Sequence, residues 1–198
     1  MKKILLLIRP ENSEEENKFY QEAILKFGGE VEILYDLEGE EKAKEKLKGV
    51  FGILLPGGNT VGNLDFFLID YALKNQIRFL GICQGMQSMA LYHTDNQLVN
   101  IGDSSHNVIE DGYIHEVILS NGLLKKIVKK DMIFVNSHHL QTVNEGGEFV
   151  VTGKSSDGLI EVLENPMHPF QIGVQWHPER MIAYDEDSRL LFQSFLEK

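Results

Sequence analysis

The 198-residue chain has little of what stabilises small secreted or membrane proteins. It contains one cysteine, five prolines and one tryptophan. A single cysteine cannot form an internal disulfide, which favours a reducing compartment, and we expect a cytoplasmic protein. No stretch approaches the roughly 18 apolar residues that a membrane span requires. The apolar run at residues 4–8 follows two lysines but is too short for a signal peptide, so it predicts a buried first strand.

Basic residues are also scarce. Nineteen lysines and arginines face 30 acidic residues, which gives a net charge of −11. A surface of this sign repels phosphate backbones, so we expect no nucleic-acid partner. The chain has no linker rich in proline, glycine or serine and no internal repeat. We therefore predict one domain over residues 1–198.

Short apolar runs alternate with amphipathic stretches in the first half of the chain. Strands are predicted at 4–8, 31–34, 52–55 and 79–82, and helices at 14–27, 40–48, 64–74 and 84–91. The second half offers strand candidates at 113–119, 133–135, 149–152, 159–163 and 171–175, followed by a helix at 185–197. This alternation predicts an α/β fold, a single-domain and mostly parallel sheet with helices on both faces.

The sharpest chemical feature is the segment Gly81-Ile82-Cys83-Gln84-Gly85, between a predicted strand and a predicted helix. This is the spacing of a strand-to-helix nucleophile elbow, with cysteine in the place of serine. Glycines on either side permit the close backbone approach that such a tight turn needs. The N-terminus of the following helix favours the thiolate. We therefore expect Cys83 to be a nucleophile, with an oxyanion-binding N–H group at Gln84.

A base for that nucleophile follows the last predicted strand. In Trp176-His177-Pro178-Glu179, the proline restricts His177 to extended conformations. Residues two apart in an extended segment point to the same side, so Glu179 is expected beside the imidazole. A carboxylate there holds the imidazole in one tautomer while the other nitrogen takes the thiol proton.

A second glycine turn, Leu55-Pro56-Gly57-Gly58, ends the predicted third strand. In a parallel sheet the carboxyl ends of the strands line the binding crevice. The backbone N–H groups of Gly57 and Gly58 are therefore expected to face a developing oxyanion across from Cys83.

The seven histidines also raise the question of metal. His93, His106 and His115, with the pair His138-His139, supply enough ligands for a site. None has the close paired spacing of a zinc motif, so we predict no metal site and no cofactor.

These motifs resemble the class I glutamine amidotransferase superfamily over nearly the full chain, with G-I-C-Q-G-M-Q, G-V-Q-W-H-P-E and L-P-G-G in the family's order. The resemblance implies a flavodoxin-like sheet. It also implies Cys83 as nucleophile, His177 as base and Glu179 as orienting acid. Gly58 and Gln84 would then supply the oxyanion donors, and Gln87 would line the pocket for the glutamyl group.

Within that superfamily, the segments Val135-Asn136-Ser137-His138-His139-Leu140-Gln141 and Ser156-Asp157-Gly158-Leu159-Ile160-Glu161 look more like the γ-glutamyl hydrolase branch. By that resemblance the substrate side of the crevice is lined by Ser137, His138, His139 and Gln141. The expected activity is hydrolysis of the γ-glutamyl amide bond of a small compound through a thioester, a hydrolase acting on linear amide C–N bonds.

Two alternatives stay open. One is a glutaminase subunit that supplies ammonia to a separate synthetase, because the chain has no phosphate-binding loop with which to activate a second substrate. The other is a non-catalytic binding domain on the same fold. The expected partners are a small γ-glutamyl substrate or glutamine, with a synthetase if the first alternative holds. The chain is compatible with a homo-oligomer.

Overall fold

A nine-stranded sheet runs through the centre of the protein and carries helices on both faces. The computed structural model describes residues 2–108 and 112–197. The strands are β1 (Lys2–Ile8), β2 (Gly29–Tyr35), β3 (Gly52–Leu55), β4 (Arg78–Ile82), β5 (Leu98–Asn100), β6 (His115–Leu119), β7 (Met132–Val135), β8 (Gln141–Val143), β9 (Val150–Ser155), β10 (Ile160–Glu164) and β11 (Gln171–Val174). The helices are α1 (Glu14–Lys26), α2 (Gly39–Lys46), α3 (Asn63–Asn75), α4 (Gln84–Leu91), α5 (Leu123–Val128), α6 (Pro178–Met181) and α7 (Glu186–Leu196).

The strand order of the main sheet is β2-β1-β3-β4-β11-β10-β9-β6-β7. The first five of these strands pair in parallel, and the carboxyl ends of β3, β4 and β11 meet at one edge. The remaining strands extend the sheet with antiparallel pairs. The α/β prediction, with helices around a mostly parallel central sheet, is confirmed. The meeting point of the strand ends is where ligand sites form in such sheets.

The first strand shows how the two faces of the sheet are covered. Leu5 and Leu7 point into a core packed by α2, α3 and α4, whereas Ile4, Leu6 and Ile8 point into the core packed by α1 and α7. Side chains alternate along a strand, so a strand that is buried on both faces is apolar at every position. This explains why residues 4–8 form an unbroken apolar run.

Local signals set both ends of α1. Ser13 and Glu16 form a capping box, in which each side chain accepts a hydrogen bond from the backbone N–H of the other residue. Such a cap is worth about 1 kcal/mol. At the other end, Gly28 adopts φ +82°, a left-handed conformation that favours glycine. The helix predicted at 14–27 therefore ends within one residue of the expected position.

The second half of the chain differs from the prediction in its short elements. The helices α5 and α6 and the small separate sheet of β5 and β8 were not predicted. Each has three to six residues, too few to show a hydrophobic period. The strand expected at 113–119 begins at His115. None of the described helices is long and apolar enough to cross a membrane.

Candidate active site

Cys83 lies at the turn between β4 and α4. Its backbone adopts φ 52° and ψ −106°, a conformation that is costly for a residue with a side chain. The Cys83 N–H donates a 2.7 Å hydrogen bond to the carbonyl oxygen of Val174 at the end of β11. The neighbouring strand therefore helps to hold the strained residue, as expected for a nucleophile elbow.

The two glycines around the elbow are required by close packing. A Cβ on Gly81 would lie 2.7 Å from the carbonyl carbon of Gly85, and a Cβ on Gly85 would collide with the backbone of Leu55 on β3. Contacts this short with backbone atoms cannot be relieved by moving a side chain. The expectation that glycines permit this turn is therefore confirmed.

His177 and Glu179 form a buried pair beside Cys83. The Nδ1 atom of His177 lies 2.7 Å from Oε1 of Glu179, and His177 and Cys83 line the same cavity. The expected pairing of His177 with Glu179 is present, but the extended segment from which it was predicted is absent. Pro178 begins α6, so Glu179 lies in the first turn of a short helix, because proline is favoured at that position.

The charges around His177 favour the imidazolium. Burial alone would lower the pKa of His177, but the carboxylate of Glu179, the sulfur of Cys83 and its hydrogen bonds with both outweigh that effect and raise the pKa to about 10. A histidine with this pKa holds a proton at neutral pH. It can give that proton to a leaving group, as a general acid does.

A third residue holds the backbone of His177 in place. The side chain of Asn136, just after β7, donates from Nδ2 to the His177 carbonyl oxygen at 2.9 Å and accepts from the His177 N–H at 2.8 Å. No role was predicted for Asn136 from the sequence. The only signal was its place in the segment before Ser137 and His138.

Asn136→Asp should lower kcat roughly 10- to 100-fold, because misplacing a catalytic group by about 1 Å costs up to 100-fold. The carboxylate cannot donate to the His177 carbonyl oxygen and would repel it. We would measure kcat and KM for the hydrolysis of glutamine. Asn165→Asp is the matched control, since Asn165 also donates a hydrogen bond through its side-chain amide, to Oε1 of Gln171, but does not line the cavity. An unchanged kcat in Asn136→Asp would contradict the positioning role.

The glycine turn after β3 faces the elbow, but its two N–H groups differ. The N–H of Gly57 donates to the hydroxyl oxygen of Tyr20 at 3.0 Å. It is therefore not available to an oxyanion as expected, and the role of Gly57 is steric. A Cβ there would lie 2.8 Å from Cε1 of His177. Gly58 and the first N–H of α4, at Gln84, remain as the two expected oxyanion donors.

A buried ion pair supports this turn from behind. Arg9, just after β1, lies 2.9 Å from Asp65 of α3, and both side chains are almost fully buried. Asp65 also accepts a 2.6 Å hydrogen bond from Ser88 of α4. A Cβ on Gly58 would collide with the side chain of Arg9. Removing one member of such a pair leaves a buried charge unpaired, so this network fixes the turn relative to α4.

A cavity of about 550 Å³ opens over Cys83. Of the residues predicted from the sequence, eight line it: Gly57, Gly58, Cys83, Gln87, His138, His139, Gln141 and His177. Three others do not: Gln84, Ser137 and Glu179. Glu179 lies behind His177, as an orienting acid should. The prediction that Ser137 lines the substrate side of the crevice is corrected, because its side chain is fully buried and hydrogen-bonds with His106 rather than facing the cavity.

Two side chains that were predicted to contact the substrate, those of Gln87 and His138, also contact other side chains or backbone of the protein. The Nε2 atom of Gln87 donates to the Gln141 carbonyl oxygen at 2.9 Å and to Oε1 of Gln175 at 3.1 Å. His138 lies edge-on to His177, with ring centroids 6.0 Å apart. Burial and the charge of His177 lower the pKa of His138, so it remains neutral beside the imidazolium.

Charged groups at the cavity mouth were not predicted from the sequence. Glu11, Glu16 and Arg180 all line the cavity. Arg180 directly follows the W-H-P-E segment, and this position was the signal available. Its guanidinium lies 3.4 Å from Glu16. Glu11 accepts a 3.0 Å hydrogen bond from the Asn59 N–H, which ties it to the turn after β3. The mouth therefore offers both signs of charge.

Comparison with known proteins places this arrangement in a family. The Peptidase C26 family matches residues 62–179, which include Cys83, His177 and Glu179. The chain belongs to this family. The assignment supports the wider class I glutamine amidotransferase-like superfamily that the motifs indicated, and it agrees with a hydrolase that acts on amide bonds.

Among proteins similar in sequence, a Schizosaccharomyces pombe protein named as a glutamine amidotransferase is 31% identical over 90% of this chain and 80% of its own length. The CTP synthase of Nostoc punctiforme is 30% identical over 73% of this chain. The chain spans only about a third of the CTP synthase, since the match covers 32% of that protein. In structure, the glutaminase domain of Trypanosoma brucei CTPS aligns with a TM-score of 0.69 at 21% identity, covering 99% of this chain and 92% of that one.

These relatives correct one prediction. The motifs between Val135 and Glu161 favoured a γ-glutamyl hydrolase, and that prediction is wrong, because the relatives are named CTP synthase and glutamine amidotransferase. The structure gives a physical reason why the motif misled. Ser137 is buried behind the cavity wall, and the Nδ1 atom of His139 is engaged with the Gln141 carbonyl oxygen. Ser137 and the Nδ1 atom of His139 are therefore engaged within the protein and are not available to a substrate.

Proposed function

We propose that this chain is the glutaminase component of a glutamine amidotransferase. It hydrolyses glutamine to glutamate and releases ammonia for a synthetase on a partner chain. The observation that carries the proposal is the buried pair of His177 and Glu179, with His177 and Cys83 lining one cavity in a chain similar to CTP synthases. A cavity of about 550 Å³ is within the usual range for small-molecule sites.

In the first step, the Cys83 thiolate attacks the side-chain amide carbon of glutamine. The oxygen of the tetrahedral intermediate accepts hydrogen bonds from the Gly58 and Gln84 N–H groups. His177 gives its proton to the departing nitrogen, which leaves as ammonia, and the sulfur retains the glutamyl group as a thioester.

In the second step, neutral His177 takes a proton from water, and the resulting hydroxide attacks the thioester carbon. The carbon–sulfur bond breaks and glutamate leaves. Cys83 leaves as the thiolate and His177 again carries the proton, so both are ready for the next glutamine.

Charge at the cavity mouth suits the other end of the substrate. Free glutamine carries an ammonium and a carboxylate on its α-carbon. Arg180, Glu11 and Glu16 line the cavity, and in this proposal Arg180 binds the carboxylate while Glu11 and Glu16 bind the ammonium. Charge-assisted hydrogen bonds of this kind are about twice as strong as neutral ones.

The synthetase partner is supported by the extent of the matches. The chain matches 32% of the length of the Nostoc CTP synthase, and the T. brucei CTPS structure that it resembles is a glutaminase domain. A glutaminase serves a synthetase by supplying ammonia, which is a better nucleophile than the amide.

The test is the release of glutamate by the purified chain, with Cys83→Ala as the blank. Glutamine would be compared with γ-glutamyl amides of aminobutyrate and ethanolamine at equal concentration. We expect kcat/KM to be highest for glutamine. Faster turnover of either γ-glutamyl amide would contradict the proposal.

For the partner, the tagged chain would be purified from its native cells and the bound proteins identified. We expect an ATP-dependent synthetase whose addition raises the rate of glutamine hydrolysis. Recovery of the chain alone, with no rise in activity on adding the cell extract, would contradict the partner part of the proposal.

A further inference from the structure

Three histidines and a glutamate that the mechanism does not use meet in the interior. His115 lies on β6, Glu161 on β10, His139 just before β8, and His106 in the loop after β5. One potential ligand atom from each lies within 4.8 Å of all the others. We call these four residues the histidine–glutamate cluster. The spacing of the histidines along the chain gave no reason to group them, because four separate segments bring them together.

The outward nitrogen of each imidazole is held by an acceptor. Nδ1 of His115 lies 3.1 Å from the Glu116 carbonyl oxygen, and Nδ1 of His139 lies 3.0 Å from that of Gln141. Nε2 of His106 lies 2.9 Å from the carboxylate of Asp157. A carbonyl or carboxylate oxygen can only accept, so each outward nitrogen carries the hydrogen when the ring is neutral. Each inward nitrogen then presents a lone pair.

The inward nitrogens converge on one carboxylate. Oε1 of Glu161 lies 3.7 Å from Nε2 of His139, 3.9 Å from Nε2 of His115 and 3.9 Å from Nδ1 of His106. The hydroxyl of Ser137 is 3.1 Å from the same His106 nitrogen, and it also reaches the His106 carbonyl oxygen at 2.9 Å, so the lone pair is not committed.

The centre of the cluster lacks a donor. Among the described residues, neither carboxylate oxygen of Glu161 has a hydrogen-bond partner, and neither does Nε2 of His115 or of His139. Glu161 is fully buried. An unpaired buried carboxylate is costly, and acceptors that face one another need a cation between them.

We infer that the histidine–glutamate cluster binds a divalent transition-metal ion, and that the donor set suits zinc. Imidazole nitrogen and carboxylate oxygen are both common zinc ligands, at 2.0–2.2 Å. A tetrahedron with such bonds places neighbouring donor atoms about 3.4 Å apart. The observed distances of 3.7–3.9 Å from Glu161 to the histidines are a few tenths of an ångström longer than this, and the four ligand atoms, which lie within 4.8 Å of one another, would draw together around the ion.

The surroundings have the features of a metal site. The contact between Asp157 and His106 matches the carboxylate–histidine arrangement that orients metal-bound imidazoles. Four protein ligands leave no open position, so the ion is structural. It would anchor the segment after β7, which carries Asn136 and His138, to β6 and β10.

The competing occupant is a proton. Burial raises the pKa of Glu161 well above its usual range, with the charges of Asp157 and Cys83 adding to the effect. A protonated Glu161 could donate to one histidine and satisfy part of the cluster. Metal content and metal spectroscopy separate the two occupants, and neither readout depends on glutamine hydrolysis.

The experiment measures metal in the full chain. The protein is unfolded with chelator present, freed of metal, and refolded with Co²⁺ or Zn²⁺, so that burial of the site does not prevent loading. We expect one bound ion per chain, visible absorption bands of tetrahedral Co²⁺ that Zn²⁺ abolishes, and a melting temperature that rises with the Zn²⁺ concentration. Refolding that leaves the protein folded but free of metal, with no such bands, would overturn the inference.

Variants locate the ion. Glu161→Gln and His115→Gln should each weaken binding about 100-fold or more, since even an outer partner of a metal ligand is worth 10- to 100-fold. Cys83→Ser should leave binding unchanged, which excludes the active-site thiolate as the ligand. His93→Gln, an exposed histidine outside the cluster, is the matched control. Binding that survives both cluster variants, or that is lost in Cys83→Ser, would place the ion elsewhere and contradict the inference.

Discussion

Replacing Cys83 with serine should lower the kcat for glutamine hydrolysis by roughly 10⁴-fold or more, the size of loss seen when a nucleophile is removed. The hydroxyl keeps nearly the same shape, so the fold and the glutamine Kd should change little. What is lost is the thiolate, because a serine hydroxyl stays protonated beside the imidazolium of His177. We would measure kcat by glutamate release and the glutamine Kd by calorimetry.

The chain offers a clean control for this prediction. Cys83 is its only cysteine, so a thiol-specific reagent such as iodoacetamide labels one atom. Alkylation should abolish activity in the unmodified protein, and glutamine should slow the labelling. Ser120→Ala, which alters an exposed hydroxyl outside the cavity lining, should remain active. Turnover by Cys83→Ser within tenfold of the unmodified protein would show that Cys83 is not the nucleophile.

Glu179→Gln should lower kcat by about 10²- to 10⁴-fold and move the alkaline limb of the pH–rate profile. In the unmodified protein, Glu179 and Cys83 raise the pKa of His177 to about 10. Activity should therefore persist as pH rises and fall only near pH 10, where the imidazolium that protonates the leaving ammonia is lost. Removing the carboxylate lowers the pKa of His177, since an opposite charge at this distance is worth about 1–3 pH units.

The limb in Glu179→Gln should therefore lie about 1–3 pH units lower than in the unmodified protein. The measurement is kcat from pH 6 to 10.5, with folding checked by circular dichroism at each pH. Glu145→Gln, which removes an exposed carboxylate, should leave the limb in place. An unchanged limb in Glu179→Gln would mean that Glu179 does not set the charge of His177.

The sequence predicted the parallel half of the fold well because each of its elements carries a local signal. The run at residues 4–8 is apolar at every position since β1 is buried on both faces, and Gly28 marks the end of α1. The elbow could also be predicted from the sequence. Gly81 packs against Gly85, and Gly85 packs against Leu55, so closely that only glycine fits at either position, and the spacing of the two glycines around Cys83 therefore identifies the turn.

The features that could not be predicted from the sequence depend on contacts between segments that are distant in the chain. The hydroxyl oxygen of Tyr20 accepts a hydrogen bond from the N–H of Gly57, and Asn136 hydrogen-bonds to the backbone of His177, which is 41 residues away in the sequence. Neither contact follows from a periodic pattern. The histidine–glutamate cluster likewise needs antiparallel pairing among strands whose order in the sheet differs from their order in the chain. The W-H-P-E segment was predicted for partly the wrong reason, because Pro178 begins a helix where an extended segment was expected.

The most direct test of the central claim is to detect the covalent intermediate. The protein would be mixed with excess glutamine, quenched in acid within milliseconds to seconds, and examined by intact-protein and peptide mass spectrometry. The account predicts a mass increase of one glutamyl group, located on Cys83, which hydroxylamine removes and which Cys83→Ser does not form. Release of glutamate with no adduct at any quench time, or an adduct on another residue, would contradict it.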